Sequence, residues 1–101
     1  MAESRTPLDD GTIQTRLDEL PDWHGDRSGI TRVVELPSFP EAIAVVDAVA
    51  QVAEEMDHHP DIDIRWRTLT FHNVTYTENA VTALDLELAR RIDDVVARHS
   101  G

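Results

Sequence analysis

The chain contains no cysteine, which removes disulfides, iron–sulfur clusters and thiol nucleophiles together. Positive charge is also scarce: 9 Lys and Arg stand against 20 Asp and Glu, for a net charge of -11. Nucleic acid and anionic membrane call for a basic surface, so both are disfavoured as partners. No run of about 18 apolar residues is present for a membrane span. The opening Met-Ala-Glu-Ser-Arg lacks the apolar centre of a signal peptide, and a cytoplasmic protein is expected. There is no Gly-x-Ser-x-Gly, and Ser100 lies in the tail, so nucleophilic serine chemistry has no support. At 101 residues the chain is long enough for one modest core and too short for two, giving a single domain over 1–101.

What the chain does carry is concentrated between Glu54 and Trp66, in Glu-Glu-Met-Asp-His-His-Pro-Asp-Ile-Asp-Ile-Arg-Trp. Two adjacent imidazoles sit among carboxylates in a chain with only 5 histidines. Histidine titrates close to neutral pH, so such a pair can hold one proton to give and one site to accept. Upstream, Ala42, Val45, Val46, Val49, Val52, Ala53 and Met56 recur at three and four, the mark of an amphipathic helix. Glu54 and His58 then share one face, one turn apart. Pro60 disfavours helical geometry at His59, so the helix is expected to end near His58, with His59 extended. His58 would sit at the negative end of the helix dipole. Glu54, Asp57, His58, His59, Asp61 and Asp63 are crowded, but adjacent histidines across a helix end do not converge as an i, i+4 zinc pair does. No metal site is expected.

The remaining chain supplies the frame. Residues 1–10 read as a polar, ragged start. A short helix follows with Thr12 as cap and Ile13, Leu17 and Leu20 on one stripe, stopped by Pro21. Trp23 reads as a core plug. The polar turn Gly25 to Gly29 leads into a strand over Ile30 to Leu36, together a hairpin. Ser38-Phe39-Pro40-Glu41 is a capping box that opens the long helix. Ile62 to Thr77 reads as one long β-prone stretch whose pattern changes phase, from Leu69 and Phe71 on one face to Trp66, Val74 and Tyr76 on the other, so a bulge or two covered faces are expected. Thr82 to Asp85 is a second capping box, before a helix with Leu84, Leu88, Ile92 and Val95 buried. The sum is an α+β, two-layer domain: a small, mostly antiparallel sheet with three helices on one face. A single helical layer leaves a sheet face or edge open, which self-association would cover.

With these residues in hand, the chain resembles the pterin-4a-carbinolamine dehydratase family, also called 4a-hydroxytetrahydrobiopterin dehydratase. The family pattern is an acidic or polar residue, three spacers and His-His-Pro, then an aromatic five or six residues on, a histidine about ten later, and an aspartate further down. Glu54, His58, His59, Pro60, Trp66 and Asp85 stand at matching positions. Ala-Glu-Glu-Met-Asp-His-His-Pro, Thr-Ala-Leu-Asp-Leu-Glu-Leu-Ala-Arg-Arg-Ile-Asp and the earlier Leu-Pro-Asp-Trp are similar to it too. One position departs. Where most members carry the third histidine, this chain has Thr75-Tyr76-Thr77, and Asn79-Ala80 replaces the usual Gly-Gly. His72 is four residues too early, and only a bulge would move it into register.

The resemblance implies elimination of water from a 4a-hydroxytetrahydropterin to give the quinonoid dihydropterin, with no bound cofactor and no metal. His58 and His59 are then the catalytic pair, and Glu54, Asp85, Tyr76 and Trp66 the substrate-binding residues. It also implies a homodimer or homotetramer. Taken alone, the residues have plainer readings: Glu54 and His58 as a surface helix pair, Asp85 as a capping acid, Trp66 as a core or interface residue. The alternative function is a dehydratase-fold protein with a weakened site that serves as an interaction or assembly factor.

Overall fold

A computed structural model describes residues 5–100. In chain order the elements are α1 (Asp10–Leu17), β1 (His24–Asp26), β2 (Gly29–Glu35), α2 (Phe39–Met56), β3 (Asp61–Arg65), β4 (Thr68–Asn73) and α3 (Ala83–Ser100). The strands form one antiparallel sheet in the order β1-β2-β4-β3. In β4 the residues alternate strictly, with Leu69, Phe71 and Asn73 buried and Thr68, Thr70 and His72 half-buried. One face therefore meets the helices, as the expected two-layer α+β arrangement requires. Ile30, Leu69 and Phe71 of the sheet join Ile13 of α1, Val45 and Val49 of α2, and Leu88 and Ile92 of α3 in a continuous core. Residues 5–9 are tied in rather than ragged: the Leu8 amide donates to the Val81 carbonyl at 3.0 Å, and Leu8 packs on the core. The rest of the expected ragged start lies outside the described residues.

Helix α1 begins earlier than expected. Asp9, not Thr12, is the cap, and its Oδ1 accepts the Thr12 amide at 2.7 Å. Both residues suit the role, and the ionised carboxylate makes the stronger, charge-assisted bond. That bond holds the Asp9 carboxyl below its ordinary value. The helix closes at Leu17, four residues ahead of Pro21, and the chain continues in turns to Trp23. This side chain is buried, and its indole N–H donates to Asp93 Oδ1 at 2.8 Å, satisfying the one polar atom the ring must bury.

Helix α2 starts as its capping residues require, with Ser38 Oγ accepting the Glu41 amide at 3.2 Å. It ends at Met56 instead of His58. In α3, Leu88, Ile92 and Val95 are buried as expected, but Leu84 is only half-buried, and Leu86 and Ala89 complete the buried stripe.

The expected long strand is two strands. Arg65 pairs with Thr68 across a two-residue turn, Trp66-Arg67, so Trp66 leaves the pattern where the chain reverses, while Val74 and Tyr76 leave it because they lie past the end of β4. Trp66 takes a left-handed backbone, φ 54. Such a turn usually advertises itself with Gly, Asn or Asp, and none is present here. Beyond β4, Thr75 makes only an isolated bridge to Ala80. No helix of the described residues is long and apolar enough to cross a membrane.

Candidate active site

The site is built by the end of α2. Asp57 adopts a left-handed conformation, φ 50 and ψ 44, and the His58 amide returns to the Ala53 carbonyl at 3.0 Å. This is the geometry that closes a helix with one residue of opposite hand. It turns the two imidazoles apart. His58 points inward and is 7% exposed, whereas the His59 side chain is 56% exposed.

Each ring is backed by a carboxylate. His58 Nε2 lies 2.6 Å from Asp85 Oδ1, and His59 Nε2 lies 2.6 Å from Glu54 Oε2. The expected Glu54 and His58 pair is thus corrected: the left-handed residue between them swings His58 off the helix face and brings His59 back towards it. His72 does not line the cleft described below. It pairs regularly with Thr31 and Asp61 and bonds Thr31 Oγ1 through Nδ1 at 2.9 Å, on the sheet face opposite the buried positions of β4.

Asp85 is fully buried. Its Oδ2 accepts the Thr82 amide at 2.9 Å and the Thr75 hydroxyl at 2.8 Å. Thr75 and Thr82 hydroxyls are 2.7 Å apart. Because Thr75 gives its hydrogen to the carboxylate, Thr82 donates to Thr75. Asp85 is therefore both the capping acid of α3 and the partner of His58, and it does not itself line the cleft described below. Its place in the first turn of a helix favours negative charge. An ionised carboxylate can only accept, so the hydrogen between Asp85 and His58 sits on Nε2. Nδ1 of His58 is left without a partner among the described residues. Asn73 Nδ2, donating to the Asp85 carbonyl at 3.1 Å, ties β4 to the start of α3.

These groups border an open cleft of about 210 Å³, lined by Arg5, Asp57, His58, His59, Val74, Thr75, Tyr76 and Thr77. Clefts of roughly 300–1,000 Å³ take drug-sized ligands, so this one suits a smaller molecule. Tyr76, 64% exposed, hydrogen-bonds through its hydroxyl to Asp61 Oδ2. That bond, with desolvation and the Asp61 charge adding to it, raises the phenol above its ordinary value. A larger hollow of about 430 Å³ lies beside Gln14, Trp23 and His24. His24 has no carboxylate partner among the described residues, so size and acid–base equipment point to different places, and the equipment decides.

Of the residues singled out from sequence, His58, His59 and Tyr76 come together in the cleft, with Asp85 behind His58 and Glu54 behind His59. Trp66 does not join them. It lies at the tip of the β3–β4 turn, 70% exposed, with the Arg67 guanidinium 4.9 Å above its ring. The five residues of β3 separate it from the cleft by about 17 Å. Sequence reasoning missed Arg5, Thr75 and Asp61. Arg5 was hidden in a start read as ragged and Thr75 in a stretch read as strand, whereas Asp61 directly follows His-His-Pro. Among the described residues no cluster of three or more His, Asp or Glu is arranged to hold a metal ion, consistent with the two imidazoles facing apart.

The model of the family described as Pterin 4 alpha carbinolamine dehydratase matches residues 6–95. The chain belongs to that family. A Nocardia farcinica relative, provisionally named a pterin-4-alpha-carbinolamine dehydratase, is 51% identical over 88 residues, covering 87% of this chain and 93% of the relative. A Roseiflexus relative with the same provisional name is 44% identical, covering 90% and 98%. Among solved structures, a transcriptional coactivator/pterin dehydratase from Brucella melitensis superposes with a TM-score of 0.86 at 28% identity, covering 90% of this chain and 99% of that one. A pterin dehydratase-like protein identified as a RuBisCO assembly factor superposes with a TM-score of 0.62 at 20% identity, covering 73% and 86%. The second likeness is one of fold.

Proposed function

We propose that this pterin dehydratase family member eliminates water from a 4a-hydroxytetrahydropterin, yielding the quinonoid dihydropterin. The observation that carries the reading is that His58 and His59, each hydrogen-bonded to a carboxylate, both line one small open cleft. In the reaction the bond from C4a to the hydroxyl breaks, that oxygen takes a proton and leaves as water, N5 loses its proton, and a double bond forms between N5 and C4a. Two imidazoles, one able to give a proton and one able to take it, meet this demand. His59 contacts the 4a-hydroxyl and His58 is its proton-transfer partner. Glu54 orients His59, and Asp85 holds His58 in one tautomer. Tyr76, which lines the same cleft, contacts the ligand, and no metal or cofactor enters the scheme. Trp66 is left out of the ligand contacts because of its distance from the cleft. A cytoplasmic homodimer or homotetramer completes the proposal, with the outer edge of β3 open to a second copy.

A role in assembly or interaction is the second reading. It draws on Tyr76 in the third histidine's place and on exposed Ile64 and Trp66. A cleft filled by side chains would favour it, and an open one with paired imidazoles favours chemistry.

The test is the rate of 4a-hydroxytetrahydropterin dehydration, followed by absorbance, for wild type, His59→Ala and Tyr76→His. The account expects His59→Ala to lose the gain over buffer and Tyr76→His to raise it. Equal rates for wild type and His59→Ala would remove the assignment.

A further inference from the structure

Tyr76 lines the cleft, yet its ring is largely exposed and the core does not hold it. What fixes it is the hydrogen bond from its hydroxyl to Asp61. Asp61 is itself well placed. Pro60 forces an extended entry, and Asp61 opens β3 in register with His72 of β4, so its carboxylate is carried by the sheet.

That bond has a direction. A carboxylate has no hydrogen to give, so the tyrosine hydrogen lies between the two oxygens, and the phenol oxygen keeps only lone pairs for anything else that approaches. Asp61 thereby converts a group that could donate or accept into an acceptor. A tetrahydropterin ring carries N–H groups at N5 and N8. A fully oxidised pterin has bare ring nitrogens there, with lone pairs of their own. Facing such a nitrogen, Tyr76 would have to turn its hydrogen away from Asp61 and leave that carboxylate without the bond.

We infer that Asp61 and Tyr76 form a redox-state filter for the cleft: Tyr76, polarised by the positioning residue Asp61, accepts a hydrogen bond from the N5–H or N8–H that only a reduced pterin carries and disfavours oxidised pterins. This rests on the cleft being the pterin site. The pair works by recognition, and no proton need leave the phenol. The phenol is held neutral, since the same bond raises its pKa.

The experiment is equilibrium binding of a tetrahydropterin lacking the 4a-hydroxyl, which is not turned over, and of the matching oxidised pterin, under anaerobic conditions. Wild type is expected to prefer the reduced ligand by about fivefold or more, the scale of one net hydrogen bond. Asp61→Ala removes the acceptor and frees the tyrosine hydrogen, so the preference should fall to within twofold. Tyr76→Phe should lose it in the same way, and both side chains are exposed enough for the variants to fold. A merely structural role would weaken both ligands together and leave the ratio unchanged. Wild type binding both forms equally, or Asp61→Ala keeping the ratio, overturns the inference, even if dehydration is catalysed. A preserved preference without any dehydration would instead sink the dehydratase reading and leave the filter standing. Binding of neither pterin sinks both.

Discussion

The Nε2 of His58 lies 2.6 Å from Oδ1 of Asp85, and the other oxygen of that buried carboxylate caps the helix that carries it. One side chain therefore serves both the fold and the tautomer of a cleft histidine. Asp85→Asn puts an amide donor against either the His58 donor at one oxygen or the Thr75 and Thr82 donors at the other. The expected loss is about 3 kcal/mol of stability, typical of a broken buried pair, with at least a tenfold fall in dehydration rate. Urea unfolding beside a rate assay checks both. A variant of native stability and full rate would show that the carboxylate is not needed at either end.

Asp57 decides which way the imidazoles face. Its left-handed backbone is open to glycine and costs a β-branched residue roughly 1–2 kcal/mol. Asp57→Gly should keep native stability and rate, whereas Asp57→Val should lose about that much in denaturant unfolding and lose activity as His58 and His59 are displaced. The opposite order would mean that another feature sets the turn.

Tyr76 is the single tyrosine, so phenolate absorbance in a pH titration reports it alone. Its hydrogen bond to Asp61, with desolvation and the carboxylate's charge, raises its pKa, and the titration midpoint should lie above the ordinary value near 10. The bond favours the neutral phenol. Its contribution to folding is therefore fully present below the unfolded-state value and is lost as pH rises through the raised one. In Asp61→Asn the titration should move back down. An unchanged curve in that variant would show that the bond does not form in solution.

Much of this was legible because capping chemistry is local. Ser38 with Glu41, and Thr82 with Asp85, announce α2 and α3 by hydrogen bonds closed within three residues, and the periodicity of Val45, Val49, Leu88 and Ile92 shows which faces meet the sheet. The pair His58 and His59 stood out by composition alone. What stayed hidden depended on backbone conformations that these residue types do not advertise. Trp66 at φ 54 and Asp57 at φ 50 are left-handed without being glycine, so a hairpin passed for one long strand and Glu54 was matched to the wrong ring. Arg5 was out of reach for a different reason. It lines the cleft just ahead of Leu8, which is anchored by a bond to Val81 from the far end of the chain. No local pattern records a contact of that separation.

The most direct test of the central claim is the dependence of the 4a-hydroxytetrahydropterin dehydration rate on protein concentration, with the spontaneous reaction as intercept. The background matters because this dehydration also proceeds unaided. The account predicts a rate that rises linearly with wild-type protein and a slope that vanishes in His59→Ala. A line of zero slope for the wild type would contradict it, and the fold would then have to be explained by what it binds.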